Sequence, residues 1–152
     1  MRRWLMKSEP SVYSIEDLRR DGRSMWEGCR NYLVRNRLRD EVRPGDTAFF
    51  HHSNANPSGI AGIMEVVSEA YPDPTQFDPE SPYFDPKSSP DRPRWLAVDV
   101  QFVRAFARVV PLSELKAHPL LGGMEVCRKG QRLSVLPVTE EEWEAVLGLP
   151  GI

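Results

Sequence analysis

The stretch Trp4-Leu5-Met6-Lys7-Ser8-Glu9-Pro10 begins as an apolar β-strand and ends abruptly in a cation, a hydroxyl and a carboxylate. A second stretch, Ser24-Met25-Trp26-Glu27-Gly28-Cys29-Arg30-Asn31-Tyr32, gathers two aromatic rings, an acid, a base and an amide around a glycine. Neither stretch has the periodicity of a core element. Aromatic planes beside hydrogen-bonding groups are typical of sites that recognise a nucleobase. The two stretches therefore predict a site of this kind, with the first strand ending beside it.

Capping residues and apolar runs outline the other elements. Ser14 precedes a short helix that Gly22 ends, and residues 31–41 form an arginine-rich helix. Gly62, inside an apolar run, indicates a β-bulge or a close approach of backbone or ligand. Because long strands outnumber helices, we expect an α+β fold, a partly open β-barrel of about five or six strands surrounded by short helices, as a single domain over residues 1–152. The other predicted strands and helical segments are 3–6, 47–52, 60–70, 95–107, 112–117, 120–124, 132–137 and a helix after the Thr139 capping box.

Residues 71–93 hold half of the chain's 14 prolines and four aromatic side chains. The segment is too long for a hairpin turn and too aromatic for a free linker. We expect an ordered loop packed against the domain. A protein-interaction surface on this loop is one alternative function.

Charge and composition narrow the range of partners. The chain has 40% hydrophobic and 28% charged residues and a net charge of −2, which is ordinary for a globular protein. Residues 1–45 carry 11 Lys and Arg against 7 Asp and Glu, whereas the remainder carries 9 against 15. The whole molecule is therefore not a general polyanion binder, but its N-terminal third could present a basic face to a phosphate backbone.

The sequence lacks the common signatures of cofactor and metal sites. Cys29 and Cys127 form no CxxC pair, and there is no zinc-deaminase signature, glycine-rich phosphate loop or HExxH motif. No apolar run approaches a membrane span or a signal-peptide core. We therefore expect no cofactor, no metal, no membrane partner and a cytoplasmic location with reduced cysteines.

Several motifs, in order over nearly the whole chain, resemble the EVE domain family of the PUA-like superfamily, to which YTH and ASCH domains also belong. Two departures stand out: Glu27 and Cys29 replace the usual Asp and Val, and His51 replaces an aromatic residue that commonly precedes the His-Ser pair. The motifs that carry the resemblance are WLMKSEP (4–10), WEGCRNY (26–32), HHS (51–53), YPDPTQF (71–77), PRW (93–95) and RLSVLPV (132–138).

The resemblance implies a PUA-like pseudobarrel with a pocket for an extruded nucleotide. It also implies a non-catalytic reader of modified bases, most notably 5-methyl- or 5-hydroxymethylcytosine, with DNA favoured over RNA as the partner. Related YTH domains place a tryptophan at the point that corresponds to Trp26, so we expect this ring to stack on the base, with a core position as the alternative. The expected base-binding residues are Lys7, Ser8, Glu9, Trp26, Asn31, Tyr32, His52 and Ser53.

Three arginines, Arg30, Arg35 and Arg39, are candidates to bind phosphates. The alternative is a solvated helix face, since charge runs on helices are usually exposed. Asn31 is equally suited to cap the helix that follows it. Glu9 could form a salt bridge with Arg30 instead of binding a base.

An enzyme is the second functional hypothesis. Some ASCH relatives hydrolyse an acylated cytidine with a lysine, a threonine and a glutamate, and Lys7 and Glu9 are close in this sequence. A lysine becomes a base or nucleophile only when burial lowers its pKa, and a neighbouring carboxylate opposes that change. An RNA-binding or protein-interaction module is the third hypothesis.

Overall fold

The computed structural model describes all residues, 1–152, as an open mixed β-sheet with four short helices. The α+β class is as the sequence predicts, but the sheet has seven strands rather than five or six. The strands are β1 (Arg3–Ser8), β2 (Arg23–Trp26), β3 (Thr47–His52), β4 (Gly59–Val66), β5 (Tyr71–Pro72), β6 (Leu96–Pro111) and β7 (Val135–Val138). The α-helices are α1 (Ile15–Asp21), α2 (Tyr32–Asp40), α3 (Leu112–Ala117) and α4 (Glu140–Leu147), and Pro74–Phe77 and Glu125–Cys127 form 3-10 helices.

The strand order is β2-β6-β4-β3-β1-β7, with β5 paired to β6 beside this path. The β1–β3 pair is parallel and every other pair is antiparallel. Gly62 lies at a shift in the β4–β6 register, and a Cβ there would lie 2.3 Å from the Arg104 carbonyl oxygen. The bulge expected at Gly62 is therefore present, and glycine allows the two backbones to approach closely.

Alternating side chains of the central strands build a hydrophobic core on each side of the sheet. Trp4 and Phe50 belong to a 17-residue cluster, whereas their neighbours Leu5 and Phe49 belong to a 15-residue cluster. Phe49 stacks on Trp143 of α4 with a centroid distance of 4.0 Å. The period-2 alternation of β1 and β3 thus anchors helices on both faces.

Helix caps fall where the sequence predicts them. The Ser14 and Thr139 side chains each form a capping box at the start of α1 and α4, and Asn31 caps α2. Gly22, with φ +76°, ends α1. No helix combines the length and apolar character needed to cross a membrane.

The segment from 71 to 93 is ordered and packed, as expected. The Gln76 side chain is fully buried: its amide nitrogen donates to the carbonyl oxygens of Asp73 and Trp95, and its oxygen accepts from the Trp95 N–H at 3.0 Å. The Trp95 indole N–H donates to Asp85 at 2.7 Å. These bonds fix the proline-rich segment against the start of β6.

Candidate functional site

An open cavity of about 740 Å³ lies where β1 and β2 end, and it brings the two opening stretches of sequence together. β1 and β2 are separated in the sheet by three strands, so the sheet must curl for both to line one cavity. The volume is within the range of small-molecule sites. The lining residues are Lys7, Ser8, Glu9, Val12, Tyr13, Ser24, Met25, Trp26, Glu27, Gly28, Cys29, Ser53, Asn54, Tyr83, Gln131, Arg132 and Ser134.

Trp26 belongs both to the core and to this cavity. Only 7% of the residue is exposed, and its ring packs edge-on against Phe50 with a centroid distance of 5.4 Å. The remaining surface lines the cavity. Because the core holds the indole, Trp26 offers a ring whose position is fixed before any ligand arrives.

Tyr83 is a second aromatic residue in the cavity wall, and the sequence analysis did not identify it as a site residue. Gly28 makes room for it: a Cβ on Gly28 would lie 2.9 Å from the Tyr83 ring, and the glycine has φ +86°. Both the backbone conformation and the close approach therefore require glycine at position 28. The sequence identifies Gly28 as a position where another group can approach the backbone closely, but nothing in the sequence indicates that this group is Tyr83.

The buried Asp73 carboxylate fixes this wall. It accepts hydrogen bonds from the Gly28 N–H at 2.9 Å, from the Arg30 guanidinium at 3.0 Å and from the Thr75 N–H at 2.8 Å. Burial alone would raise the pKa of Asp73, but the hydrogen bonds from Gly28, Thr75 and Arg30 outweigh it and keep the pKa below its usual value. Arg30 also donates to the Tyr83 carbonyl oxygen at 2.8 Å, so one ion pair joins the turn after β2 to the 71–93 segment.

At the end of β1, polar side chains already have protein partners. Lys7 Nζ donates to the Gln131 carbonyl oxygen at 3.3 Å, and burial lowers the pKa of this lysine. Ser8 Oγ donates to the Tyr13 carbonyl oxygen at 2.6 Å. Glu9 accepts from the Asn54 amide at 2.6 Å and forms no salt bridge with Arg30.

Glu27 and Cys29, the two departures from the usual family pattern, both line the cavity. Burial raises the pKa of the Glu27 carboxyl, and the nearby negative charge of Asp73 adds to the shift. Burial also raises the pKa of the Cys29 thiol to about 11, so the thiol stays protonated at neutral pH. Glu27 therefore presents a partly buried carboxyl group to the cavity, whereas Cys29 presents a neutral thiol. No group of three or more His, Cys, Asp or Glu side chains could hold a metal ion.

The EVE domain family model matches residues 2–149 of this chain. The chain belongs to the EVE domain family. Thymocyte nuclear protein 1 from Homo sapiens is 48% identical over 164 residues, which cover 96% of this chain and 72% of that protein. A crystal structure of a Pseudomonas syringae protein has 48% identity and a TM-score of 0.92, covering 95% of this chain and 97% of that one.

A second similar structure is that of human THYN1 protein in complex with 5-methylcytosine-containing DNA. It has 46% identity and a TM-score of 0.89, and the match covers 97% of this chain and 96% of that chain. A Zymomonas mobilis ASCH protein is 9% identical with a TM-score of 0.56. That last likeness concerns the fold alone.

Three predicted base-binding residues of this EVE domain lie outside the cavity lining. Asn31 Oδ1 accepts from the N–H groups of Leu33 and Val34, so it caps α2. Tyr32 packs on Trp95 with a centroid distance of 4.8 Å and is half exposed. His52 accepts from the Ile15 N–H, where it holds the start of α1. The structure thus places Lys7, Ser8, Glu9, Trp26 and Ser53 at the cavity and Asn31, Tyr32 and His52 away from it, and base binding by the first five stays a prediction.

The predicted phosphate-binding arginines are engaged by the EVE domain itself. Arg30 is held by Asp73, and Arg39 pairs with its neighbour Asp40 at 2.8 Å. The Arg35 guanidinium donates to Asn36 and lies 4.8 Å from the Tyr32 ring centroid. Each of the three arginines therefore has a protein partner, and phosphate binding by Arg30, which precedes α2, or by Arg35 and Arg39, which lie on it, stays a prediction. Six of the eleven cationic residues in the first 45 form salt bridges, namely Arg2, Arg3, Arg19, Arg20, Arg30 and Arg39, so about half of the expected basic face is paired.

Proposed function

We propose that this protein binds DNA carrying 5-methylcytosine and takes the extruded modified base into the cavity between the ends of β1 and β2. The observation that carries the proposal is the human THYN1 complex with 5-methylcytosine-containing DNA, which shares 46% identity and nearly the whole fold with this chain. The cavity supports it with its size and its mixture of aromatic and polar side chains.

Cytosine carries an exocyclic amino group that donates hydrogen bonds, and a glutamate carboxylate is a suitable acceptor. The cavity contains two carboxyl groups, those of Glu9 and Glu27. The Asn54 amide already donates to Glu9, whereas no protein side chain donates to Glu27. Glu27, to which no side chain donates, is therefore the carboxyl group with the greater acceptor capacity for the base, and the partial burial that raises its pKa also strengthens a hydrogen bond made there.

Base extrusion costs a few kcal/mol, which contacts inside the cavity must offset. Stacking of a base on an aromatic ring contributes about 1–3 kcal/mol. Trp26 and Tyr83 are two of the three aromatic residues in the lining, beside Tyr13. Trp26 is held by its contact with Phe50, and the Tyr83 backbone is held by the hydrogen bond from Arg30 to its carbonyl oxygen. Stacking on these rings and the Glu27 hydrogen bond together offset the cost of extrusion at least in part.

The gain in affinity that hydrophobic contact with a single methyl group can provide is small. Burying one methyl group contributes about 0.8 kcal/mol, or roughly fourfold in affinity. Val12 and Met25 provide apolar surface in the cavity for such a contact. A larger preference requires a hydrogen bond to a polar substituent, for which the hydroxyls of Ser24 and Ser134 are in the lining.

The test is a titration with two oligonucleotides that differ in a single 5-methyl group. We expect Glu27→Gln to weaken binding of the methylated strand by about tenfold, because a charged acceptor is replaced by a neutral one. Glu69→Gln is the matched control, since Glu69 is exposed and outside the cavity. Equal affinities for both strands in the unaltered protein, or no effect of Glu27→Gln, would contradict the proposal.

One observation favours the enzymatic alternative: burial lowers the pKa of Lys7 inside the cavity. The lining also includes carboxyl groups, but it includes no threonine, the third residue of the ASCH hydrolases. Incubation with an acylated cytidine and chromatography of the products separate the two functions. Release of cytidine that Lys7→Gln abolishes would support the enzyme.

A further inference from the structure

A second cavity, of about 300 Å³, lies beside the first, between the end of β1, α3 and the loop that precedes β7. Lys7 and His51 are register partners on β1 and β3, and both lie at the second cavity. Each lies two residues beyond Leu5 or Phe49 on the same face of its strand, and these two residues belong to the 15-residue core cluster. The second cavity therefore continues that side of the sheet beyond its apolar core.

Four cationic side chains line this cavity: Lys7, Lys116, Arg128 and Lys129. The lining contains no aspartate or glutamate. Arg128 pairs with Glu125 at 3.1 Å, whereas neither Lys116 nor Lys129 forms a salt bridge. Cations without carboxylate partners around a concave surface favour an anionic ligand.

His51 provides an independent sign of a ligand in this cavity. The residue is only 3% exposed, and neither imidazole nitrogen has a hydrogen-bond partner within the protein. A buried polar group without a partner costs about 1–3 kcal/mol, so such groups are rare unless another molecule completes them. Because His51 lines the second cavity, an oxygen ligand bound there could accept the imidazole N–H.

The two cavities share a wall. Lys7, Ser53 and Gln131 line both of them, and Lys7 Nζ donates to the Gln131 carbonyl oxygen at 3.3 Å. In a nucleotide whose base occupies the first cavity, the phosphate groups are bonded to the sugar that carries this base, and they therefore lie close to the first cavity. The shared wall thus places a basic, concave surface next to the base.

We propose that the second cavity binds a phosphate group, held by Lys116, Lys129 and the His51 imidazole. The source is the backbone of the strand whose base occupies the first cavity, so the inference rests on the proposed function. Phosphate contacts fix the orientation of a nucleic acid, while contacts to the base provide the specificity. Phosphate binding at the second cavity does not require the α2 arginines, of which only Arg39 forms a salt bridge.

Three ligands separate the phosphate site from the base site: the nucleoside 5-methyl-2′-deoxycytidine, a methylated oligonucleotide and inorganic phosphate. We expect the double variant Lys116→Gln/Lys129→Gln to bind the oligonucleotide about tenfold more weakly while binding the nucleoside as well as the unaltered protein does. His51→Phe tests the imidazole separately and should give a smaller loss with the oligonucleotide only. Lys87→Gln, which removes an exposed lysine outside both cavities, is the control.

The outcomes are distinguishable. Unchanged oligonucleotide affinity in the double variant would overturn the strand phosphate as the ligand. If the unaltered protein binds neither nucleoside nor oligonucleotide, the proposed function fails. Binding of inorganic phosphate then tests the second cavity by itself. A phosphate-induced shift of the His51 imidazole NMR signals, lost in the double variant, would assign the site to free phosphate, whereas no shift would overturn it.

Discussion

His51 makes the stability of the folded protein depend on pH. Burial, together with the nearby positive charges of Lys7 and His52, lowers the pKa of His51 from 6.5 to about 4. Between these two values the unfolded chain binds a proton that the folded protein does not, so the free energy of unfolding rises as the pH rises from 4 to 6.5. Below pH 4 this contribution is lost, and above pH 6.5 it is complete.

We expect His51→Phe to flatten this dependence. Phenylalanine does not titrate, so the difference in unfolding free energy between variant and unaltered protein should change by about 3 kcal/mol across the window. Urea denaturation at pH values from 4.5 to 7.5 measures it, and the carboxyl groups that titrate in both proteins cancel in the comparison. Parallel curves for the two proteins would show that His51 is not held neutral by the fold.

Single site residues could be predicted from the sequence where their neighbours in the chain decide their position. Lys7 and Ser8 end a strand, and Trp26 precedes a glycine turn, so their place at the cavity follows from local order. His52 could not be assigned in this way, because its partner, the Ile15 N–H, is 37 positions away. Polar side chains have several competing partners, and only the fold decides among them.

Among the elements, the packing of the 71–93 segment against the rest of the domain depends on one charged residue, Asp73. Asp73 is fully buried and joins Gly28, Arg30 and Thr75. Removing one partner of a buried ion pair typically costs 3–5 kcal/mol, because the other charge is left uncompensated. We therefore expect Asp73→Asn to lower the unfolding free energy by about this amount and to loosen the wall that carries Tyr83.

Urea denaturation and limited proteolysis within 71–93 measure these two effects. Asp91→Asn, an exposed residue of the same segment, is the matched control and should leave both unchanged. Stability of Asp73→Asn equal to that of the control would show that the ion pair does not anchor the segment.

Strand β2 illustrates why one element was missed. Arg23–Trp26 has four residues, follows the end of α1 directly and has no apolar alternation to mark it. It forms because β6 is 16 residues long and offers β2 a free edge, with Trp26 opposite Val98. The strand predicted over residues 60–70 is too long, because the chain leaves the sheet after Val66. Strand ends depend on the partner strand and not only on their own residues.

For the molecule as a whole, the distribution of charge limits the number of phosphate contacts that the protein makes with DNA. The net charge is −2, and six arginines of the first 45 residues are paired with carboxylates. Non-specific DNA binding comes from unpaired cations that release counterions from the phosphates. We therefore expect weak binding to unmodified duplex and a local contact with few phosphates.

The salt dependence of binding measures the number of those contacts. Each neutralised phosphate contributes about −0.9 to the slope of log affinity against log salt concentration. With two to four cations of the second cavity engaged, the slope for methylated duplex should lie at about −2 to −4, and Lys129→Gln should make it about one unit shallower. Arg39→Gln should leave it unchanged, because Asp40 already neutralises that guanidinium. A slope steeper than about −6, or one that Arg39→Gln reduces as much as Lys129→Gln does, would mean that the helix arginines exchange their carboxylates for phosphates when DNA binds.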